Sequence, residues 1–481
     1  MYCQLETLRH CLPPSVRGIL DTLPETLDET YERVLRDINK ANRGHAHRLL
    51  HCLTIAMRPL RVEELAEVLA VDFDAALQGG IPRLNTDWRW ADQHQAVLST
   101  CSSLIVIIDD GDSQVVQFSH FSVKEYLTSD RLASSSEDVS RYHILLESAH
   151  TLLAQACLGV LLHLGDDVDE FNAKDIPLAK YAAQYWVNHA QFEKVSSCIQ
   201  ETMEFFFDMD KPHWAAWIRV YNIDAYWIFC SSYGVNDAFP LYYASLCGFY
   251  HLVEYLIAKY PEHVNARGGL LVTPLVAALY GKHFQVAELL FQHGAEVDAR
   301  GGGNEYHTPL TMACVDGPFD TVRWLIDHGA DMHAYALQER RFTPLHMVAY
   351  HGQLKSAQAL LAHGADVNAR TDWGEVPLHL AASPLVPRDH VNIMQLFLDH
   401  GADANSRNDM GSTPLHCSSH WETDGYMTTK GTVEGAHLLL KYGGDIDAKD
   451  NQGKTPLQLA LAQGNGEMAR FLSQYVATRS D

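Results

Sequence analysis

The sequence predicts a mainly α-helical protein whose C-terminal half is a solenoid of about seven helix–turn–helix repeats. A pattern of threonine, proline and leucine recurs through this half, and the prolines of its seven copies lie 33 to 42 residues apart. The seven prolines are Pro240, Pro274, Pro309, Pro344, Pro377, Pro414 and Pro456. Such a period is typical of two-helix units that cannot bury their own apolar faces and must stack on their neighbours.

The copy that begins at Thr343 shows why each position carries its residue type. Thr343 is suited to cap the first helix, and Pro344 fits the first turn, where the missing N–H costs nothing. Leu345 then begins an apolar face. Gly352 and Gly364 are suited to end the first and second helices in a left-handed conformation. Each copy is therefore predicted to form two helices followed by an extended finger.

These residues resemble the ankyrin-repeat family. Thr343-Pro344-Leu345-His346 and Thr413-Pro414-Leu415-His416 are close to the family pattern, whereas Phe239-Pro240-Leu241 is a degenerate first copy. The resemblance covers residues 237–481, about half of the chain. It implies a pre-ordered concave surface that binds another protein and carries out no catalysis.

The N-terminal part predicts three helices and a β-hairpin. Thr26 and Glu29 fit a capping box for the first helix, and apolar residues recur at helical spacing around Leu49 and Leu65 in the next two. A short helix near residue 97 leads into two apolar stretches, 104–108 and 115–118, that are separated by a turn. Three helices followed by a hairpin describe a winged helix.

The hairpin runs directly into another predicted helix. Ser122 and Glu125 fit a capping box, and Phe121 and Tyr126 occupy the positions of a hydrophobic staple. We therefore expect this helix to begin at Ser122. A long helix is predicted to follow over residues 139–163, where apolar residues recur in steps of three and four.

Three stretches of this half resemble the region after the NTPase in fungal NACHT-ankyrin proteins, which are NOD-like members of the STAND class of signalling ATPases. The stretches are Leu23–Leu35, Arg58–Ala66 and Ser119–Leu127. The resemblance implies a helical remnant over 1–43, a winged helix over 44–135, and an aromatic-rich helical subdomain over 136–236 before the repeats of 237–481. It also implies that His120 lies near nucleotide phosphates and senses ADP.

No GxxxxGK[ST] loop occurs in the sequence, so the phosphate-binding element of the NTPase is missing from it. We therefore expect no nucleotide hydrolysis and no cofactor. Met1 can mark a fragment boundary, an alternative start or the loss of the NTPase. For the isolated chain, the structural alternative is that His120 only stabilises the entry to a helix.

Residues 177–230 are unusually aromatic. They form either a ligand pocket or a helical core, and we favour the core because few basic residues are interleaved. The first repeat is itself apolar, so we expect these helices to cover it, without a flexible linker near residue 236. At the other end, Glu467, Arg470 and Gln474 are expected to form a polar cap.

Composition narrows the function classes. The chain has 36 basic and 60 acidic residues and a formal charge of −24, which disfavours sequence-independent binding to nucleic acid or anionic lipid. Lys and Arg are absent from 91–103, the segment expected to read DNA in a winged helix, so DNA binding is a minor alternative. The N-terminus has no secretory signal and no apolar run is long enough to span a membrane, so a cytoplasmic protein is predicted.

Metal and enzyme chemistry find little support in the motifs. The sequence has ten cysteines, which occur singly, and 27 histidines, but neither the HExxH nor the paired CxxC motif of zinc sites. It also has no GxSxG motif, which carries the nucleophilic serine in many hydrolases. We expect no metal site, no catalytic residue and no small-molecule substrate. An enzyme remains a remote alternative because catalytic triads are spatial.

Eight residues of the repeats are candidates for partner binding. One group recurs at the same finger position and would form a basic ladder for an acidic partner, or would be ordinary solvated turn residues. The others are aromatic residues, one in a finger and two in an enlarged loop. The enlarged loop either contacts a ligand or is a tolerated surface insertion. The candidates are Arg267, Arg300, Arg370, Arg407 and Lys449 in the ladder, and Trp373, Trp421 and Tyr426 among the aromatics.

The sequence thus predicts a protein–protein recognition module of a NOD-like signalling protein. Its partner is a protein of unknown identity. The main alternative is a regulatory fragment that binds and restrains an NTPase-bearing relative.

Overall fold

The computed structural model divides the chain into two compact units. The N-terminal unit comprises Met1–Pro261 and Gly268–Leu270, and the C-terminal unit comprises Glu262–Arg267 and Leu271–Asp481. The described residues are 26–73, 81–111, 113–165, 175–223, 238–300, 308–336, 341–382, 389–419, 421–423, 428–430 and 432–479. The predicted boundary and linker near residue 236 lie outside them, and the four predicted domain ranges stay predictions.

A winged helix forms the first part of the N-terminal unit, as predicted. Its elements are α1 (Leu27–Asp37), α2 (Arg43–Ile55), β1 (Leu60–Arg61), α3 (Val62–Val68), β2 (Val71–Asp72), β3 (Arg83–Leu84), α4 (Gln93–Cys101), β4 (Ile105–Asp110) and β5 (Ser113–Phe118). The strands β1, β5 and β4 make an antiparallel sheet in that order, in which Leu60 and Ile107 both pair with Val116. Thr26 caps α1 by accepting a hydrogen bond from the Glu29 amide at 3.2 Å.

Buried carboxylates hold α3 in place. Glu64 is fully buried and accepts hydrogen bonds from Arg58 at 2.7 Å and from Arg61 at 3.0 Å. Burial acts to raise the pKa of Glu64, but the hydrogen bonds of Arg58 and of the Arg61 backbone outweigh it and keep that pKa below its usual value. Glu67, one turn later, is paired in the same way with Arg89. The helix is thus fixed by two buried ion-paired carboxylates.

The prediction of one long helix over 139–163 is wrong. The chain forms α5 (Phe121–Leu127), α6 (Asp130–Ala133), α7 (Glu137–Ser140) and α8 (Leu146–Leu161). Between α7 and α8 the Ile144 amide donates a hydrogen bond to the Leu127 carbonyl at 2.9 Å, and Tyr142 is buried. Burial of Tyr142 and Ile144 against the preceding helices therefore breaks the pattern that local periodicity suggested.

Aromatic side chains form the core of the next helices, α9 (Ala179–Ala190), α10 (Val195–Cys198), α11 (Gln200–Phe206) and α12 (His213–Val220). Trp186 and Trp217 are fully buried with ring centroids 5.3 Å apart, and Trp217 Nε1 donates to the Ala183 carbonyl at 2.8 Å. The predicted aromatic core is confirmed. Tyr226 and Trp227 lie outside the described residues.

The same aromatic side chains cover the degenerate first repeat, α13 (Pro240–Cys247) and α14 (Tyr250–Lys259). Trp186 lies 5.4 Å from Phe249 and Trp217 lies 6.1 Å from Tyr243, measured between ring centroids. Tyr243 is buried as a result. The prediction that the aromatic helices cover this repeat is confirmed within the N-terminal unit.

Tyr181 joins the winged helix to the aromatic helices. Its hydroxyl accepts a hydrogen bond from the Met57 amide at 3.1 Å and is hydrogen-bonded to His189 Nε2 at 2.9 Å. His189 Nδ1 is in turn hydrogen-bonded to His150 Nδ1 at 3.0 Å. Burial and the neighbouring His150 lower the pKa of His189 to about 3, so the ring stays neutral.

Six further repeats form the C-terminal unit, and the first helix of each begins at its proline. The helix pairs are α15 (Pro274–Tyr280) with α16 (Phe284–Gln292), α17 (Pro309–Asp316) with α18 (Phe319–Asp327), α19 (Pro344–His351) with α20 (Leu354–Ala362), α21 (Pro377–Ala382) with α22 (His390–Asp399), α23 (Pro414–Ser419) with α24 (Val433–Lys441), and α25 (Pro456–Ala462) with α26 (Gly466–Arg479). A short hairpin, β6 (Trp421–Thr423) and β7 (Thr428–Lys430), follows α23. Gly352 and Gly364 have φ of +72° and +91°, as predicted for helix ends.

Buried leucines and histidines connect successive repeats. Leu345 and Leu378 are fully buried. His346 Nδ1 accepts a hydrogen bond from the Thr343 amide at 3.2 Å, so Nε2 carries the proton and donates to the Glu375 carbonyl of the next finger at 3.2 Å. His379 repeats the arrangement with the Ser412 carbonyl at 3.1 Å. The first helices α19 and α21 are thereby each tied to the finger that follows.

We predict that Leu345→Ala lowers the free energy of unfolding by about 2–5 kcal/mol, because the substitution leaves a cavity between stacked repeats. Chemical denaturation of the full chain measures this change. Leu145→Ala is the control: Leu145 is 60% exposed in the N-terminal unit, and its truncation should change the stability by less than about 0.5 kcal/mol. Equal effects of the two substitutions would contradict the stacking.

Low pH should destabilise the ankyrin repeats. Burial, as the largest cause, lowers the pKa of His346 and of His379 to about 4. In the unfolded chain these rings take up protons below a pKa of about 6.5, so stability is complete above that pH and is lost as the pH falls from about 6.5 to about 4. When the pH falls from about 7.5 to about 5.5, the free energy of unfolding of the wild type should decrease by about 1 kcal/mol more than that of His379→Gln. Parallel urea titrations test this, and an identical pH dependence of the two proteins would contradict it.

Candidate protein-binding surface

The fingers of the fourth, fifth and sixth repeats run side by side. The Asp409 amide donates to the Trp373 carbonyl at 2.9 Å, and the Asn451 amide donates to the Met410 carbonyl at 2.9 Å. Within each finger a turn is closed by the polar side chain at its start, which is Thr371, Asn408 or Asp450; Asn408 Oδ1, for example, accepts from the Ser412 amide at 2.9 Å. The three tips therefore have defined positions relative to one another.

Glycine is required where neighbouring fingers meet. Gly374 and Gly411 have φ of +71° and +73°. A Cβ atom on Gly374 would lie 2.5 Å from Asp409 Oδ1, and one on Gly411 would lie 2.4 Å from Asn451 Oδ1. Gly374 and Gly411 thus allow both the left-handed turn and the close approach of the next finger.

Two large apolar side chains stand at the finger tips, one residue before these glycines. Trp373 is 46% exposed and Met410 is 75% exposed. Trp373 was a candidate from sequence, whereas Met410 was not. Its position before the finger glycine was the available signal. We call Arg370, Trp373, Arg407, Met410 and Lys449 the finger surface.

The arginines of the predicted ladder help to build the fingers. Arg370 Nη1 donates to the Gly374 carbonyl at 2.9 Å and to the Arg407 carbonyl at 2.9 Å. Arg407 Nη2 donates to the Lys449 carbonyl. Both arginines, like Lys449, remain exposed. Their positive charge thus stays at the surface although one donor group of each guanidinium is engaged.

The remaining repeat candidates are not gathered with the finger surface. Arg267 and Arg300 are exposed on earlier fingers. Trp421 begins β6, whose first residue pairs with Lys430, and its side chain is not described. Tyr426 lies outside the described residues. Whether any of these residues contacts a partner stays a prediction.

His120 is exposed at the start of α5, and the prediction that Ser122 caps this helix is wrong. His120 is the N-cap: its Nδ1 accepts from the Ser122 amide at 3.2 Å and from the Ser122 hydroxyl at 2.6 Å. The Ser122 hydroxyl in turn accepts from Tyr31 at 2.7 Å. This contact with α1 diverts Ser122 from capping.

Phe121 does not pack on Tyr126, as the predicted hydrophobic staple required. Its ring is 70% exposed and lies 4.3 Å from the His120 ring, whereas Tyr126 is buried. The expected staple is therefore wrong. An exposed pair of rings stands at the beginning of α5 instead.

A cleft of about 410 Å³ lies in the C-terminal unit at the turns between first and second helices. Its lining residues are Gly317, Phe319, Gly352, Gln353, Leu354, Lys355, Ser356 and Asp389. The Ser356 hydroxyl donates to Gln353 Oε1 at 3.0 Å, so its proton is directed to a carboxamide. No histidine is among the described residues that line the cleft.

Within the described ranges, no set of three or more His, Cys, Asp or Glu side chains is placed to hold a metal ion. None of the helices described for this chain has the length and apolar character needed to cross a bilayer.

Similarity to known proteins follows the two parts of the fold. Residues 19–137 match the family described as "GPI inositol-deacylase, winged helix domain". Residues 300–371 and 345–426 match "Ankyrin repeats (3 copies)", and residues 427–472 match "Ankyrin repeats (many copies)".

Among individual proteins, the chain is 33% identical over 297 residues to "Azaphilone pigments biosynthesis cluster protein L" of Monascus ruber. That match covers 58% of this chain and 61% of the relative. It is 45% identical over 64 residues to a putative ankyrin repeat protein of Rickettsia felis, covering 13% of this chain and 28% of that one. It is 38% identical over 65 residues to alpha-latrocrustotoxin-Lt1a of Latrodectus tredecimguttatus, covering 14% of this chain and 5% of the toxin.

The chain thus spans less than two thirds of the length of each of these relatives. Its winged helix and its stacked two-helix repeats agree in position with the family matches. The chain therefore combines an N-terminal winged helix domain with C-terminal ankyrin repeats.

Proposed function

We propose that this chain is a non-catalytic recognition module of a cytoplasmic NOD-like signalling protein and that its finger surface binds a protein ligand. The observation that carries the proposal is the exposure of Trp373 and Met410 at adjacent finger tips, beside Arg370 and Arg407. Ankyrin repeats are protein-interaction modules, and the family matches over 300–472 include this surface. The role in NOD-like signalling rests on the resemblance of the N-terminal half.

The geometry suits tight binding because the tips are ordered before a partner arrives. Backbone hydrogen bonds from Asp409 and Asn451 hold the tips at fixed spacing, which reduces the entropy lost on association. Tryptophan and arginine are the side chains that most often dominate interface energies. Methionine adapts its shape to irregular apolar surfaces. The finger surface offers all three.

Charge favours an acidic segment in the partner. Arg370, Arg407 and Lys449 place three cations in a row on a chain with a formal charge of −24. Complementary charge raises association rates and excludes wrong partners more than it raises affinity. We infer that Trp373 and Met410 supply the affinity and that the cations set orientation.

Nucleic acid is a poor ligand for the winged helix. The exposed residues of α4 include His94, Gln95 and Leu98 but no lysine or arginine. The hairpin tip carries Asp109 and Asp110, both exposed. Carboxylates at the wing repel phosphates, so the surface that reads DNA in other winged helices lacks electrostatic support here.

Removing the apolar side chains at the finger tips should weaken partner binding. We predict that Trp373→Ala with Met410→Ala weakens capture of a specific partner from an extract of the source organism at least about tenfold. Biolayer interferometry with the captured protein then measures the loss. Arg370→Gln should slow association and reduce its salt dependence, with a smaller effect on dissociation.

Trp88→Ala is the matched control, because Trp88 is also exposed but lies in the winged helix. It should leave capture unchanged. Equal capture by wild type and the Trp373/Met410 double variant would contradict the proposed surface. Hydrolytic activity of the purified chain that disappears on one His or Cys substitution would instead favour the enzymatic alternative.

A second candidate is a regulatory fragment that binds and restrains an NTPase. The specific observation in its favour is the exposed pair of His120 and Phe121 at the start of α5. His120 Nδ1 is occupied by Ser122, so Nε2 carries the proton and can donate to a phosphate or carboxylate of a docked NTPase. The exposed Phe121 ring would supply apolar contact beside it.

For this candidate we predict that the chain slows ADP release from a purified NACHT-type ATPase and that Phe121→Ser removes the effect. Stopped-flow release of a fluorescent ADP analogue measures the rate. Leu145→Ser is the control, since Leu145 is 60% exposed elsewhere in the same unit. If wild-type chain leaves the release rate unchanged, the candidate is rejected.

A further inference from the structure

The sheet of the winged helix ends in an edge strand that belongs to the hairpin. The strand order is β1, β5, β4, so β4 (Ile105–Asp110) pairs with β5 on one side and, among the described residues, with no strand on the other. An edge strand presents backbone N–H and C=O groups with which another extended chain can pair. At 6 residues, β4 is as long as an ordinary strand and can act as such a template.

The hydrogen-bond pattern identifies the backbone groups of β4 that point outward. The Ser119 amide donates to the Leu104 carbonyl at 2.9 Å, at the start of the β4–β5 ladder, and the register then continues without a bulge. In an antiparallel ladder only alternate residues bond to a given neighbour. Every second residue after Leu104 therefore bonds to β5. The N–H and C=O groups of the residues between them, which include Ile107 and Asp109, point away from β5.

The outward groups are accessible along the second half of the strand. Ile105 is buried and Ile107 is half-buried, whereas Ile108, Asp109 and Asp110 are exposed. No backbone group within the described ranges pairs with the outer side of Ile107 or Asp109. We call the residues from Ile107 to Asp110 the wing edge. It can therefore form backbone hydrogen bonds to a further strand without any rearrangement of the sheet.

The wing edge combines apolar side chains with negative charge. Asp109 Oδ1 accepts a hydrogen bond from the neutral carboxamide of Gln114 at 2.7 Å, which does not compensate its charge. Neither β4 nor β5 contains a lysine or an arginine. Because side chains directly opposite each other on neighbouring strands interact, a complementary segment needs apolar residues opposite the isoleucines and basic residues opposite the aspartates.

We propose that the wing edge binds an extended segment of a partner protein by strand addition, with lysine or arginine of that segment opposite Asp109 and Asp110. Charge complementarity favours this occupant. A second copy of the chain fits poorly, because the exposed part of β4 is its acidic end and antiparallel pairing of two copies would bring their aspartates together. The proposal does not depend on the finger surface or on its ligand.

A synthetic peptide serves as the probe. Fluorescence anisotropy with the full chain should show saturable binding of a labelled, end-blocked Lys-Lys-Val-Thr-Val-Thr, whose lysines reach the acidic end of β4 in antiparallel pairing. Glu-Glu-Val-Thr-Val-Thr should bind at least about tenfold more weakly, because it places carboxylates beside carboxylates. Hydrogen–deuterium exchange of residues 105–110 should slow on binding, whereas exchange of the finger at 371–375 should not change.

A proline substitution separates backbone pairing from side-chain contact. Ile107→Pro should abolish peptide binding, because it removes an outward amide but no hydrogen bond between β4 and β5. Proline is tolerated in an edge strand where its nitrogen faces solvent. Ile107→Ala is the matched control: it removes the side chain but keeps the amide, so the peptide should still bind.

Charge reversal provides a second test that does not depend on proline. Asp109→Lys with Asp110→Lys should reverse the preference, so that the glutamate peptide binds more tightly than the lysine peptide. The absence of saturable binding of the lysine peptide up to about 1 mM would overturn the proposal. Equal binding by Ile107→Pro and Ile107→Ala, slowed exchange only in the finger, or an unchanged preference after charge reversal would overturn it as well.

Discussion

A two-helix repeat must be covered on both sides by something else, and most of this structure follows from that constraint. Inside the array each repeat covers a face of its neighbour, and Leu345 and Leu378 are fully buried as a result. In the N-terminal unit the degenerate first repeat is covered by aromatic helices through Trp186 and Trp217. The aromatic segment therefore has the same physical role as a neighbouring repeat, although its sequence does not resemble one.

The contacts that satisfy stacking also shape the surface available to a partner. His346 supports the finger of the next repeat through the Glu375 carbonyl, and Arg370 joins two fingers through the Arg407 carbonyl. Since these groups are committed to the scaffold, the side chains left to recognise a ligand are those at the finger tips. The ladder is thus both a structural link and a source of positive charge. These arginines can therefore be turn residues of the scaffold and also form a basic ladder for an acidic partner.

Periodicity predicted the repeats well because the information is local. Thr343 and Pro344 start the helix that the pattern indicated, and Gly352 ends it. Prediction failed where a distant contact decided the local structure. Ser122 matches a capping pattern, but its hydroxyl is held by Tyr31, 91 residues earlier, so the cap passes to His120. The position of Met410 beside Trp373 was likewise hidden, since it depends on how two fingers pair.

The constraint also explains why a leucine at the end of the array is informative whereas one elsewhere is not. A single exposed apolar side chain on a folded protein is ordinary. Leu461 differs because its position has a defined partner in each earlier repeat of the C-terminal unit, where the equivalent residues are buried. The surface around it already has the backbone acceptor of Gln452 and the helix geometry that another repeat uses. Its chemistry is therefore that of a surface on which a repeat stacks.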